Sequence, residues 1–273
     1  MLPQFNDLLN SLFTIAASTS EAIVNIYQRS CPINVINKVD NTPVTEADYA
    51  AHLLITERLQ GLTPQLPILS EEGNSIDFSQ RQTWQDYWLI DPLDGTQEFI
   101  NRSGEFTINI ALIHEHKPVL GIVYQPTTHD CYYAVKGQGA YLKTLAETKR
   151  LKVRKKPSTP IIAISHRHNP LKLKAILANF NDYGLLNLGS ALKICKIAEG
   201  EADVYPRLGP TSEWDTAAGQ CILEEAGGQL INLQGQPLMY NTKDSLINPK
   251  FLAIGDEHYD WLSHLITTGA IHE

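Results

Sequence analysis

An apolar segment that runs directly into two closely spaced aspartates constrains the fold of this chain most. Tyr87–Ile90 predicts a buried strand, and Asp91–Thr96, which read Asp-Pro-Leu-Asp-Gly-Thr, follow it at once. The proline disfavours the α region for the residue before it, so the first aspartate is expected to stay extended. The glycine permits a positive φ, and residues 96–100 are typical of the first turns of a helix. The two carboxylates should therefore meet just in front of a helix N-terminus.

This arrangement points to a particular chemistry. Two neighbouring carboxylates repel each other unless a cation lies between them, whereas the free N–H groups at a helix start attract an anion. A cation held by carboxylates beside an anion held by backbone amides describes a metal-dependent phosphate site. The alternative is an Asp-Gly turn in which one aspartate caps the helix.

Further acidic residues support the metal site. Glu71 and Glu72 end a short apolar strand near 67–70, and only one of them can join Asp91 because successive side chains point to opposite faces. Asp215 stands at the start of a predicted helix over 215–226. The alternatives are that Glu71 and Glu72 form a solvated strand end and that Asp215 caps a helix. Oxygen ligands spread over several segments suit Mg²⁺, and no combination of His and Cys has zinc spacing.

The motifs and their order resemble a known family. Leu-Ser-Glu-Glu at 69–72, Asp-Pro-Leu-Asp-Gly-Thr-Gln-Glu-Phe-Ile at 91–100, Gly-Glu-Phe-Thr-Ile-Asn-Ile-Ala-Leu-Ile at 104–113 and Gly-Pro-Thr-Ser-Glu-Trp-Asp at 209–215 are similar to the inositol monophosphatase superfamily. The bisphosphate nucleotidase branch matches most closely. The resemblance implies an α/β (α+β) fold, a layered αβαβα sandwich whose two lobes enclose the active site.

The resemblance also implies a set of metal ligands. Glu71, Asp91 and the carbonyl oxygen of Leu93 would hold a first Mg²⁺. A second ion would lie between Asp91, Asp94 and Asp215. Glu71 would also contact a third, looser ion, so that two to three Mg²⁺ ions are expected.

The same resemblance assigns catalytic roles to Asp48, Thr96 and Glu71. Asp48 would orient Thr96, and the pair would position and deprotonate a metal-activated water for in-line attack on phosphorus. Backbone amides of Gly95 and Thr96 would add fixed donors for the phosphoryl group. The residues alone also allow another interpretation, in which Thr45 and Asp48 form a capping box of the helix over 45–60. The two interpretations are compatible, since the cap would fix the direction of Asp48.

Substrate selection is expected from the second half of the chain, where loops at strand ends and helix starts place ligands in open α/β sheets. His168, Ser190, Lys193 and Arg207 are the candidates for the nucleotide. The full substrate-binding set comprises Glu71, Leu93, Asp94, Gly95, Thr96, His168, Ser190, Lys193, Arg207 and Asp215. Lys193 could instead be an ordinary exposed helix residue. His166-Arg167 stands where related sequences more often have Arg-Ser, which leaves the specificity less defined than the reaction.

The activity that the resemblance implies is Mg²⁺-dependent, Li⁺-sensitive hydrolysis of the 3′-phosphate of adenosine 3′,5′-bisphosphate to AMP and phosphate. 3′-Phosphoadenylyl sulfate is a second expected substrate, and the role would be the clearance of a by-product of sulfate assimilation. One alternative is an inositol or sugar monophosphatase with the same metal core. Another is a non-catalytic regulator that binds Mg²⁺ or a nucleotide.

Composition agrees with this interpretation. With 273 residues and 43% hydrophobic content the chain can bury a large core. The formal net charge of −8 argues against a nucleic-acid partner, while bound Mg²⁺ would attract a small phosphate substrate. Four dispersed cysteines and the lack of a signal peptide or spanning helix predict a cytoplasmic protein, and the family also allows a peripheral position on the cytoplasmic face of the inner membrane. The oligomeric state is open.

The alternation of helical and strand patterns predicts one catalytic unit with two lobes. Residues 1–150 would form a metal-binding lobe and 151–273 an α/β substrate lobe, with the basic stretch 149–160 as the crossing. Helices are predicted over 4–28, 45–60, 170–180, 190–199 and 215–226, and strands over 67–70, 87–91, 105–114, 118–125, 130–135, 161–165, 185–188, 202–205 and 229–232. The order in the second lobe predicts a mixed sheet flanked by helices.

Overall fold

The computed structural model describes residues 5–30, 34–37, 43–166, 174, 177, 178 and 180–266. Most of the helix predicted over 170–180 lies outside these residues. The described helices are α1 (Phe5–Tyr27), α2 (Glu46–Leu62), α3 (Phe78–Arg81), α4 (Thr96–Ile100), α5 (Leu192–Ala198), α6 (Ala217–Glu225) and α7 (Trp261–Ile266), with a 3₁₀ helix at Glu213–Asp215.

The described strands form three sheets. They are β1 (Val35–Asn37), β2 (Pro43–Thr45), β3 (Ile68–Ser70), β4 (Asp86–Asp94), β5 (Thr107–His114), β6 (Lys117–Gln125), β7 (Asp130–Val135), β8 (Gly139–Lys143), β9 (Thr148–Arg150), β10 (Ile161–Ile164), β11 (Gly184–Asn187), β12 (Val204–Arg207), β13 (Gln229–Asn232) and β14 (Phe251–Ile254). A seven-stranded sheet has the order β3-β4-β5-β6-β7-β8-β9, a five-stranded sheet has the order β11-β10-β12-β14-β13, and β1 pairs with β2.

The central strands of the seven-stranded sheet are buried on both faces. Strand β5 is an almost continuous apolar run whose residues are buried from Thr107 to Ile113, as expected for a strand that helices cover on both sides. On one face, Leu12 of α1 and Ile55 of α2 pack with Ile110 of β5 in a single apolar cluster. Helices α1 and α2 therefore form the first layer and this sheet the second.

The remaining layers follow from two further clusters. Ile194 of α5 and Ile222 of α6 pack between the other face of the large sheet and Ala253 of the five-stranded sheet. On the outer face of the five-stranded sheet, Leu252 packs with Trp261 of α7. The layers thus run helix, sheet, helix, sheet, helix, which confirms the predicted αβαβα sandwich. The smaller sheet has parallel and antiparallel pairs, which confirms the predicted mixed sheet.

Several element bounds differ from the predictions. Strand β4 does not stop at Asp91 but continues to Asp94, and its pairing with β5 shifts register between these two residues. The segment from Asp91 to Asp94, which was predicted as a loop, is therefore the bulged end of strand β4. The predicted helix over 215–226 is divided, since a 3₁₀ helix ends at Asp215 and α6 begins at Ala217. Strands β1, β2, β8 and β14 and helices α3 and α7 were not predicted.

The large sheet ends with β9 at Arg150, and the small sheet begins with β10 at Ile161. One apolar cluster contains residues of both sheets, so the division into lobes 1–150 and 151–273 stays a prediction. Within the described part of the chain, no helix combines the length and the apolar character needed to span a bilayer.

Candidate active site

The acidic residues of the two motifs meet because β3 and β4 are parallel neighbours. Ser70 pairs with Ile90, and the N–H of Glu71 donates to the carbonyl of Ile90 over 3.1 Å. Glu71 and Asp91 thus leave adjacent strands at the same end of the sheet. The bulge between Asp91 and Asp94 then turns the second aspartate toward the same space.

Three carboxylates from separate segments form a tight group. Oxygen atoms of Glu71, Asp91 and Asp215 all lie within 4.8 Å of one another. Asp91 is only 1% exposed, and burial together with the charges of Glu71 and Asp94 raises its pKa well above the ordinary range. Burial and the charge of Asp94 raise the pKa of Asp215 in the same way. Such mutual repulsion is what a bound divalent cation relieves.

Asp94 joins this group with partners of its own. Burial raises its pKa to about 6, although the nearby Lys193 ammonium and two hydrogen bonds act in the opposite direction. Asn109 Nδ2 donates to Asp94 Oδ2 over 3.3 Å, and the N–H of Ala191 also donates to this carboxylate. These donors fix the side chain from both sides of the cleft.

Asp215 is fixed by its own short helix. The side chains of Ser212 and Asp215 form a reciprocal capping box, in which the N–H of Ser212 donates to Asp215 Oδ2 over 2.9 Å. Asp215 is therefore an acid in the first turn of the 3₁₀ helix, whose cap is Ser212, and it also belongs to the acidic group. The two interpretations of its sequence position do not exclude each other.

Asp48 and Thr96 form a second constellation beside the acidic group. Thr96 Oγ1 donates to Asp48 Oδ1 over 3.0 Å, while Asp48 Oδ2 accepts from the N–H and the hydroxyl of Thr45 over 2.8 and 2.6 Å. The capping box at the start of α2 is present and directs Asp48 toward Thr96. Asp48 is 2% exposed, and burial raises its pKa. A carboxylate with a raised pKa accepts a proton more readily near neutral pH.

The acidic group and Thr96 line a cleft of about 300 Å³, whereas Asp48 contacts Thr96 from outside the lining. Among the predicted site residues, Glu71, Asp91, Leu93, Asp94, Gly95, Thr96, Ser190, Lys193, Arg207 and Asp215 line it. Gly95 has a φ of 93°, as predicted. Glu71 lines the cleft, whereas Glu72 lies outside its lining. His168 lies outside the described residues.

Lys193 is buried, so the interpretation as an ordinary exposed helix residue is wrong. Its side chain is 5% exposed, and Nζ donates to the carbonyls of Ser190 and Leu188 over 2.6 and 3.2 Å. An ammonium has three donors, of which hydrogen bonds to described residues use two, and Nζ also lies 5.3 Å from the centroid of the Tyr205 ring. Burial lowers the pKa of Lys193 to about 8, against the attraction of Asp94.

Arg207 brings a second cation to the same cleft. Its Nη2 donates to the carbonyl of Pro210 over 2.8 Å, and its buried Nε has no hydrogen-bond partner among the described residues. A guanidinium with unused donors suits the oxygens of a phosphate. Lys193 and Arg207 thus offset part of the negative charge of Asp94 and Asp215.

Two residues of the site were missed in the sequence. Asn109 interrupts the apolar run of β5, and a polar residue in a strand expected to be buried was a usable signal. Glu105 lies before β5 and accepts a hydrogen bond from the N–H of Gly189; it belongs to the motif at 104–113, but no role was assigned to it.

The donor set fits a hard divalent cation. All side-chain donors of the tight group are carboxylate oxygens, they come from three segments, and at least Asp91 is buried. Mg²⁺ prefers oxygen ligands of this kind, and buried carboxylates need a counter-charge. The carbonyl of Leu93, which lies 3.4 Å from Thr96 Oγ1, is the one backbone ligand in the predicted set.

Comparison with known proteins gives a consistent result. A model of the inositol monophosphatase family matches residues 6–266. The 3′(2′),5′-bisphosphate nucleotidase CysQ of Escherichia coli K12 is 44% identical over 244 residues, which cover 89% of this chain and 98% of that protein. The protein of the same name from Haemophilus influenzae is 40% identical over 266 residues, 96% of this chain and 98% of its own length.

Solved structures agree with the sequence matches. The crystal structure of CysQ from Bacteroides thetaiotaomicron, described as a bacterial member of the inositol monophosphatase family, superposes with a TM-score of 0.80 at 36% identity. The match covers 91% of this chain and 97% of that one. The extragenic suppressor protein SuhB from Bartonella henselae has a TM-score of 0.79 at 26% identity, with 95% and 98% coverage.

Proposed function

The chain belongs to the inositol monophosphatase family, and from this premise we propose that it is a 3′(2′),5′-bisphosphate nucleotidase, a phosphoric monoester hydrolase. Its substrate is adenosine 3′,5′-bisphosphate, which it converts to AMP and phosphate. The observation that carries the proposal is the Asp48–Thr96 hydrogen bond of 3.0 Å beside an acidic group in a cleft that also contains Lys193 and Arg207.

The family is metal-dependent, and we assign Mg²⁺ as the metal, with two to three ions. The ligands are Glu71, Asp91, the carbonyl of Leu93, Asp94 and Asp215. When bound, the ions neutralise phosphoryl oxygens, lower the pKa of water and stabilise the leaving oxygen. The chain itself supplies the fixed positions of these carboxylates, through the bulge of β4 and the capping box of Asp215.

Asp48 and Thr96 handle the proton of the attacking water. Because the Thr96 hydroxyl donates to Asp48 Oδ1, its own lone pairs point away and accept a hydrogen bond from water. The proton leaves the water through the Thr96 hydroxyl and is held on Oδ1. Thr45 keeps Oδ2 occupied with two donors, so Asp48 cannot rotate away from Thr96.

The second wall of the cleft recognises the nucleotide. Lys193 has a spare ammonium donor for a phosphate, Arg207 adds guanidinium donors, and Ser190 lines the cleft next to them. The backbone amides of Gly95 and Thr96 bind the phosphoryl group that reacts. His168 is retained as a proposed nucleotide contact, and 3′-phosphoadenylyl sulfate as a second substrate.

The alternatives are less well supported. The relatives that are 40% and 44% identical carry the name of a nucleotidase, and not of an inositol or sugar phosphatase. A regulator that only binds Mg²⁺ or a nucleotide would not require the Asp48–Thr96 pair.

We further propose that the enzyme works in the cytoplasm, in agreement with the three described cysteines, which are free, and that it clears a by-product of sulfate assimilation.

The test is a comparison of phosphate release from adenosine 3′,5′-bisphosphate and from inositol 1-phosphate, each with Mg²⁺ and with EDTA. We expect a clear preference for the nucleotide, no release in EDTA and inhibition by lithium. Faster hydrolysis of inositol phosphate would keep the reaction and overturn the substrate. No release from either ester would support the regulator.

A further inference from the structure

Glu105 connects the two walls of the cleft. It lies between α4 and β5, on the side of the metal ligands, but its side chain reaches the opposite wall. Glu105 Oε2 accepts a hydrogen bond from the N–H of Gly189 over 2.7 Å and lies 2.6 Å from His166 Nε2. Since an ionised carboxylate only accepts, the imidazole N–H is the donor. One oxygen atom thus holds two separate segments of the substrate wall.

The backbone of Glu105 is packed between two glycines. A Cβ atom on Gly95 would lie 3.2 Å from the Glu105 carbonyl oxygen, and a Cβ on Gly189 would lie 2.7 Å from the same oxygen. The same Cβ on Gly189 would also lie 2.7 Å from Cγ of Glu98 in α4. Contacts below 3.0 Å do not occur for real Cβ atoms. The turn at Gly189 therefore packs against the backbone of Glu105 too closely for any residue with a side chain.

The turn that Glu105 holds is also the turn that places Lys193. Nζ of Lys193 donates to the carbonyls of Leu188 and Ser190, on either side of the N–H that Glu105 accepts. Ser190 has a φ of 47°, in the left-handed region that few residues other than glycine adopt. A strained turn needs fixed partners to keep its conformation. Glu105 is one such partner.

We propose that Glu105 is a positioning residue that sets substrate preference. It fixes the distance between the metal ligands, which hold the reacting phosphate, and the Lys193 wall, which holds the rest of the nucleotide. This inference rests on the proposed nucleotidase function and deepens it. Glu105 acts through Gly189 and His166, so its loss affects esters that contact both walls and leaves a lone phosphate unaffected.

The experiment compares Glu105→Ala and Glu105→Gln with the unchanged enzyme, with adenosine 3′,5′-bisphosphate as substrate and inorganic phosphate as competitive inhibitor. For Glu105→Ala we expect KM to rise about tenfold, with kcat and the phosphate inhibition constant changed by less than about twofold, as for loss of one charge-assisted hydrogen bond. Glu105→Gln should have a KM close to that of the unchanged enzyme, because its side-chain carbonyl still accepts a hydrogen bond from the N–H of Gly189. The Gly189 amide proton resonance should move upfield in Glu105→Ala and return toward its place in Glu105→Gln.

Glu225→Ala is the matched control. Glu225 also accepts backbone N–H groups in a tight turn, from Gly137 and Gly139 over 2.8 Å each, but neither glycine adjoins a residue of the cleft lining, whereas Gly189 directly precedes Ser190. The Glu225→Ala variant should have a lower thermal stability and an unchanged KM. A KM for Glu105→Ala equal to that of Glu225→Ala, or a loss confined to kcat, would overturn the role of Glu105.

The outcomes separate this inference from the function on which it rests. If the unchanged enzyme releases no phosphate from the nucleotide, the proposed function fails and the specificity role fails with it, whereas the Gly189 resonance still reports the contact. If the nucleotide is hydrolysed and Glu105→Gln behaves like Glu105→Ala in KM and in the Gly189 resonance, only the inference fails.

Discussion

In the proposed mechanism, the proton of the attacking water passes through the hydroxyl group of Thr96 to Asp48. Thr96→Val removes the donor to Asp48 Oδ1 but keeps the volume and branching of the side chain. We expect kcat to fall by about 10²- to 10³-fold, in the range of general-base catalysis, with little change in KM. Steady-state kinetics with the nucleotide measure both parameters.

Thr96→Ser provides the control at the same position, since it restores the hydroxyl and removes only a methyl group. It should retain most of kcat. Equal losses in the serine and valine variants would mean that packing around Thr96, rather than its hydroxyl, supports turnover.

Asp91 is the central residue among the proposed metal ligands. Asp91→Asn keeps the shape and the hydrogen bond that the N–H of Leu93 donates to Oδ1 over 3.0 Å, but it removes the charge that holds a cation. Turnover should fall by more than about 100-fold with the fold intact by circular dichroism. Asp86→Asn, at the other end of the same strand and paired with His114, should leave turnover unchanged. Full activity of Asp91→Asn would contradict the metal assignment.

At this scale, the sequence revealed residues whose role depends on their immediate neighbours. The spacing of Asp91 and Asp94 and the box of Thr45 and Asp48 are local, and short-range rules describe them. The burial of Lys193 is different. Its hydrogen bonds to Leu188 and Ser190 are local, but its neighbours Tyr205 and Asp94 come from segments distant in the chain. No pattern in residues 190–199 could have shown it.

At the scale of elements, the placement of Asp215 depends on how closely α6 packs on the large sheet. Gly121 of β6 faces α6, and a Cβ there would lie 2.4 Å from the carbonyl oxygen of Ala218. Gly121→Ala should push the helix away and destabilise the fold by about 1–3 kcal/mol, the usual cost of overpacking. Urea unfolding measures the change, and turnover should fall because α6 begins two residues after Asp215.

Gly61→Ala is the matched control, since the same methyl group meets nothing within 4 Å near the end of α2. Alanine favours the helix there, and stability should stay unchanged or rise by about 0.5–1 kcal/mol. A similar loss in both alanine variants would show that the close contact at Gly121 is not the cause.

Helices and strands were predictable where burial of one face gives a periodic pattern of apolar residues, as in α2, or burial of both faces gives a continuous one, as in β5. The end of β4 was misjudged because Pro92 and Gly95 are typical of a loop, whereas pairing with β5 across a bulge keeps the segment extended to Asp94. Asp94 pairs with Thr107, which lies 13 residues further along the chain, so local propensity could not determine where the strand ends.

At the scale of the whole molecule, the acidic group couples metal binding to stability. In the absence of metal, the pKa of Asp94 is raised from 3.8 to about 6 by burial. A group with a raised pKa in the folded state stabilises the fold at low pH, and this contribution is lost as pH rises through the folded value. Burial and neighbouring carboxylates also raise the pKa values of Asp91 and Asp215, and burial raises that of Glu213 to about 7, so these groups act in the same direction.

The thermal midpoint in EDTA should therefore fall as pH rises from about 4 to 7. Asp94→Asn lacks one of the titrating groups, so its midpoint should fall less over the same interval. Saturating Mg²⁺ should remove or reverse the slope in the unchanged protein, because the metal binds only the deprotonated carboxylates and stabilises the state that contains them. Parallel scans by differential scanning calorimetry measure all three curves. A midpoint in EDTA that rises toward neutral pH, or a slope that Mg²⁺ leaves unchanged, would contradict both the burial of the acidic group and its assignment as the metal site.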